Sequence, residues 1–164
     1  MKQFVALYFL FLAVLFVFFY APTSIVSTWM NEGQSNLTLY LLEFFLKEGQ
    51  LQGIDIWIHP QYKIIINQSC NGMIPILFLW ASILAYPSRV VHKMVWIFVG
   101  YVIFSMVNVG RILLVVYATE HGDGQGEFYW SHDLVGNFLL MMTGLILFVL
   151  FIKTSSKTIK NSES

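Results

Sequence analysis

The sequence predicts an all-α polytopic membrane protein with about four transmembrane helices, a short extracytoplasmic helix and a β-hairpin-like segment. Three observations predict it. Only 11% of the 164 residues are charged and 57% are hydrophobic, whereas an average soluble domain carries about 25% charged residues. A water-soluble globule of this length cannot cover its core with so few charges. The apolar residues gather into long blocks, and six of the nine Lys and Arg fall at the two termini and in the 87–93 turn, with Lys47 and Lys63 in the long segment 21–71. The chain reads as a single membrane domain over 1–164, with spans at about 4–20, 72–90, 94–118 and 134–152.

The first block, Phe4 to Tyr20, is broken by Ala21-Pro22. No small-x-small cleavage site follows Phe18-Phe19-Tyr20, so it is expected to be an uncleaved anchor. The second, Met73 to Tyr86, is ended by Pro87. It spans only if Gly72 and Ser88–Val91 join it with Arg89 snorkelling; a re-entrant segment is the alternative. The third runs from Met94 to Ala118 around a single charge, Arg111, and the fourth from Leu134 to Ile152. Lys153 to Ser164 reads as a flexible cytoplasmic tail.

Between the first two blocks lies segment 21–71. Asn36 to Gly49 has a cap residue at its start and a glycine at its end, which predicts a short helix lying along the interface or on the bundle. Ile54-Asp-Ile-Trp-Ile58 alternates with period two, His59-Pro60-Gln61 turns, and Tyr62 to Ile66 follows, which predicts the hairpin.

Charge placement sets the expected topology. Lys2, Arg89, Lys93, Lys153, Lys157 and Lys160 fall on one side, while the Glu120–Asp133 loop holds four acids and no Lys or Arg. By the positive-inside rule both termini and the 87–93 turn are cytoplasmic, and 21–71 and 119–133 face outside. Formal net charge is zero, with nine Lys/Arg against nine Asp/Glu, so nothing supports nucleic-acid binding. The lipids of the bilayer are the expected surroundings.

Polar residues placed at a cost in lipid carry the functional reading. Arg near mid-membrane costs about 3 kcal/mol on insertion scales, so Arg111 is expected to face a polar cavity, either as a functional cation or as a structural one bonding loop carbonyls. Asn108 shares its helical face. Cys70, the one cysteine, lies in Asn67-Gln-Ser-Cys-Asn-Gly72 just before the second block, where Asn71 or Gly72 can cap the helix and Pro75 fits its first turn. A thiol at a helix N-terminus tends toward a reactive thiolate; the competing reading is a small, inert, buried cysteine.

Of the four histidines, His92 is expected in a solvated cytoplasmic loop and His59 in the hairpin turn, while His121 and His132 flank the acidic loop. His132 stands at the start of the fourth span. Cys, His and Arg together supply a nucleophile, a proton shuttle and an oxyanion partner for acyl transfer. His121, Asp123, His132 and Asp133 match no zinc spacing, and Gly122 to Gly126 lacks the Lys and helix of a phosphate loop. No metal and no cofactor is expected. The sequons at Asn36 and Asn67 are chance-level patterns.

Cys-Asn-Gly at 70–72, Asn-x-x-Arg-Ile at 108–112 and His132 before the last span resemble, in order and spacing, the exosortase/archaeosortase family. The motif trio covers roughly 64–150, and the short chain is more similar to compact bacterial members such as exosortase H than to the large ones. The resemblance implies an inner-membrane cysteine enzyme acting on exported proteins with a C-terminal sorting signal (a motif, a transmembrane helix and a basic tail). It implies Cys70 as nucleophile, His132 as acid/base and Arg111 as oxyanion or substrate-carbonyl contact, with Asn67, Asn71, Gly72 and Asn108 in binding or supporting roles. A thioester would pass to an acceptor or to water. Two alternatives compete: a non-catalytic assembly factor or receptor binding a partner helix through the Arg111 cavity, and an acyl or glycan transferase acting on lipids.

Overall fold

The computed structural model describes residues 2–21, 24–60, 62–66, 68–121 and 135–160. Its elements in order are α1 (Lys2–Phe19), α2 (Ile25–Glu43), β1 (Leu51–Gln52), β2 (Asp55–His59), β3 (Tyr62–Ile65), a 3-10 turn (Gln68–Cys70), α3 (Met73–Ala85), α4 (Val90–His121) and α5 (Asn137–Lys160). The protein is an all-α polytopic membrane protein carrying one small antiparallel sheet. Among the described residues α1, α4 and α5 up to Ser155 are long and apolar enough to cross a bilayer.

Helix α3 is the hub, packing against α1, α4 and α5. Its Met73, Leu77 and Ala81 meet Leu15 of α1. Its Ile76, Leu79 and Ile83 meet Phe104 of α4 and Leu140, Leu147 and Phe151 of α5. Gly100 lets α4 approach α3 closely, since a Cβ there would stand 2.6 Å from Leu79 Cδ2. The expected span 72–90 contracts to a helix of 13 residues, about 20 Å long, because Pro87 holds Tyr86 extended. That is short of the ~30 Å hydrocarbon core.

Helix α2 departs most from expectation. It starts at Ile25 rather than Asn36, and it ends at Glu43, before Gly49. Ser24 is the true cap: its Oγ accepts from Ser27 N–H at 3.4 Å and donates to the Phe18 carbonyl at 3.0 Å, closing a tight corner with α1. Asn36, the expected cap, lies inside the helix, as does Gly33. Its buried stripe is Ser27, Asn31, Gln34, Thr38 and Leu42, while Ile25, Trp29 and Tyr40 are exposed. The inward stripe is thus mostly polar, while the outward face mixes Trp29 and Tyr40 with Glu32 and Asn36.

The predicted hairpin forms and gains a third strand, in the order β1-β2-β3, with Leu51 opposite Ile56 and Ile56 opposite Ile64. The sheet lays Ile56, Ile64 and Ile66 on Val109, Ile112, Val115 and Val116 of α4, with Leu42 of α2 alongside. Two further expectations are corrected. The 153–164 tail is helical to Lys160, as an extension of α5. His92 lies in the first turn of α4, not in a loop, half-buried against Phe151 with its ring centroid at 5.2 Å. Its Nε2 is 3.2 Å from Thr154 Oγ1. Helix α4 extends beyond the apolar block at both ends, and near its start Lys93 Nζ donates to the Leu84 carbonyl at the end of α3, at 2.8 Å.

Candidate active site

The 3-10 turn delivers Cys70 to the foot of α3. Asn71 and Gly72 make the junction. Gly72 occupies the cap position with φ 77°, a left-handed conformation that glycine adopts without penalty. It contributes no side-chain cap; the Asn71 Oδ1 accepts instead from the Met73 N–H at 2.9 Å. A Cβ on Gly72 would also come within 2.9 Å of Asn108 Cγ, so both backbone angle and space require glycine.

Helix α4 supplies the other wall. Asn108 is fully buried, and its Nδ2 donates to the Cys70 carbonyl at 2.9 Å. Arg111, only 3% exposed, directs Nη2 to the same carbonyl at 3.4 Å. The shared helical face anticipated for 108 and 111 therefore converges on the backbone of the cysteine itself. Arg111 is shielded from lipid because its neighbours Val109 and Ile112 lie under the sheet, which lowers the cost of placing a guanidinium in an apolar chain. Cys70 is half-buried and packs beside that same cluster.

Helix α2 supplies a third wall that the sequence reading did not anticipate. Gln34 Nε2 donates to the Asn71 carbonyl at 3.1 Å and to Ser105 Oγ of α4 at 3.2 Å. Asn71 Nδ2 donates to Asn31 Oδ1 at 3.0 Å. Asn31 Nδ2 in turn donates to the Phe19 and Ser27 carbonyls, each at 2.8 Å. The available signal was the spacing of Ser27, Asn31, Gln34 and Thr38, which puts four polar residues on one helical stripe.

Among the other expected residues, Asn67 and His132 lie outside the described residues. His121 ends α4, exposed, with Nδ1 3.0 Å from the Tyr117 carbonyl and its ring 4.3 Å from that of Tyr117. It stands about 15 Å along the helix from Arg111. His59 closes β2.

The buried Asn108 and Arg111 thus meet the backbone of the one cysteine at the start of an apolar helix in a polytopic bundle. The transmembrane exosortase (Exosortase_EpsH) family model matches residues 2–149. The chain belongs to that family, whose members act on proteins bearing C-terminal sorting signals. The match reaches well beyond the motif trio, taking in α1, α2 and the sheet. No curated protein and no solved structure matches the chain.

Proposed function

We propose that the protein is a cysteine transpeptidase or protease that removes C-terminal sorting signals from exported proteins. Convergence of Asn108 and Arg111 on the Cys70 carbonyl carries this reading. It holds the backbone of the candidate nucleophile and puts a guanidinium next to it, and a cation so near can balance the charge that develops on an acyl oxygen.

The Cys70 thiolate attacks the scissile carbonyl, His132 having taken the thiol proton, and Arg111 balances the oxyanion. Collapse breaks the peptide bond, and His132 returns the proton to the leaving amine. The tail helix with its basic end departs, and a thioester remains on Cys70. An acceptor nucleophile resolves it by transfer, or water by hydrolysis. With both termini in the cytoplasm, as the distribution of Lys and Arg requires, the site faces the outer side of the inner membrane, where exported substrates arrive.

The test compares membrane and exported proteins from cells carrying the wild-type chain or Cys70→Ala at equal expression. The expected result is a protein species that keeps its hydrophobic C-terminal tail only in the variant. Identical tails in both, with the substrate present, would make Cys70 structural and favour the partner-binding reading of the Arg111 region.

A further inference from the structure

We propose that Gln34 and Asn31 of α2 are positioning residues for Cys70, acting through Asn71. The inference rests on the reading of Cys70 as the nucleophile, and deepens it. The turn at 70–72 is held from two sides by different helices. Helix α4 takes the carbonyl of residue 70 through Asn108 and Arg111, and α2 takes the carbonyl of residue 71 through Gln34. The Asn71 side chain is committed at both ends, its Nδ2 to Asn31 and its Oδ1 to the Met73 N–H. Two consecutive peptide groups, 70–71 and 71–72, are thus held in place, and the first of them carries the Cα of Cys70, so the turn that presents the thiol is anchored on its C-terminal side.

The chemistry of Gln34 separates positioning from simple packing. Its side chain is 2% exposed, and among the described residues its Oε1 is buried with no hydrogen-bond partner. A buried, unpaired acceptor is destabilising, and an apolar side chain of the same shape would avoid that penalty. What an apolar residue could not supply is the pair of donor bonds to the Asn71 carbonyl and to Ser105. Thr38, one turn further along the same stripe, is the contrast: its hydroxyl donates to the Gln34 carbonyl within α2, at 2.9 Å. It is buried and polar but, among the described residues, makes no such bond to the turn.

Because the chain has one cysteine, Cys70 reports on its own placement without any known substrate. The full-length protein in lipid nanodiscs is reacted with N-ethylmaleimide, with melting temperature measured alongside. Gln34→Met is expected to raise the alkylation rate about fivefold, the scale of one lost buried hydrogen bond, and Asn31→Ala to raise it too, while Thr38→Val leaves it at the wild-type value. In cells Gln34→Met slows tail removal although the thiol is more reactive to the probe. A wild-type rate in folded Gln34→Met would overturn the proposal, as would an equal rise in Thr38→Val, which would mark a general loosening of α2. If Gln34→Met does not fold, Asn31→Ala decides on the same terms. Should Cys70→Ala leave processing intact, the functional reading falls; should Cys70→Ala block processing while the alkylation rates stay unchanged, only the positioning role falls.

Discussion

Helix α4 packs with different materials in its middle, the polar end of the contrast, and at its start, the ring end. Beside Cys70, Ser105, Asn108 and Arg111 face inward and hydrogen-bond to α2 and to the turn before α3. At the start of α4, His92 and Trp96 join Tyr86, Phe148 and Phe151 in a cluster of rings, with centroids between 5.2 and 6.4 Å apart. Polar bonds such as Lys93 Nζ to the Leu84 carbonyl and Ser155 Oγ to Ser88 Oγ, each at 2.8 Å, lie around those rings. In lipid, packed rings hold helices by van der Waals contact and tolerate small shifts. Hydrogen bonds in the same medium are directional, and an unmade one is costly. The ring end fixes the bundle, and the polar end fixes an angle within it.

That division can be broken at the polar end first. Arg111→Ala is expected to lower tail removal by about 10²–10³-fold, the cost of losing one oxyanion contact, in protein that still reaches the membrane. Arg111→Lys should recover only part, because an ammonium cannot reproduce the planar fork of donors. Quantitative blotting of processed and unprocessed substrate reads both. Normal processing in Arg111→Ala would leave the guanidinium a purely structural group. Gly72→Ala comes next: a left-handed alanine and a contact with Asn108 together should cost about 1–3 kcal/mol and distort the turn, so melting temperature and Cys70 alkylation both change.

At the ring end the expected pattern is the reverse. Phe151→Ala should lower stability by about 2 kcal/mol, less than in a water-soluble core because lipid is itself apolar. The alkylation rate of Cys70 should not move. A changed rate would show that the two ends are coupled along α4. The smallest effect belongs to the surface pair Lys47–Glu120, 3.3 Å apart with Lys47 largely exposed. Lys47→Ala should cost at most about 0.5 kcal/mol and leave processing as it was.

What the sequence could show follows from the same contrast. Apolar blocks announce themselves by length, so α1, α4 and α5 were legible, as was the period-two alternation of Ile54 to Ile58. The Cys70 and Asn108–Arg111 motifs were legible because polar groups in an apolar chain stand out. Helix α2 was not, because its informative stripe is polar and buried, and a search for an apolar stripe passes over it. Asn36 was a false start signal, which a helix held by its neighbours overrides. β1 has two residues, too few for alternation to register. The extension of α5 through Lys153 to Lys160 carries charge in the sequence, and charge was read as solvation rather than as a helix continuing beyond the apolar block.

The buried polar stripe of α2 also bears on how the molecule is assembled in the cell. Until its neighbours exist, Asn31 and Gln34 lack the partners that meet them in the finished fold, and burying such groups without partners is expensive. Its partners Asn71 and Ser105 are made later by the ribosome than α2 itself. The helix can therefore settle only after α3 and α4 have been inserted, and until then nothing holds the turn that aims the thiol. A half-built chain carries the cysteine without the aim, so the placement of the thiol is completed only after α4 has been made.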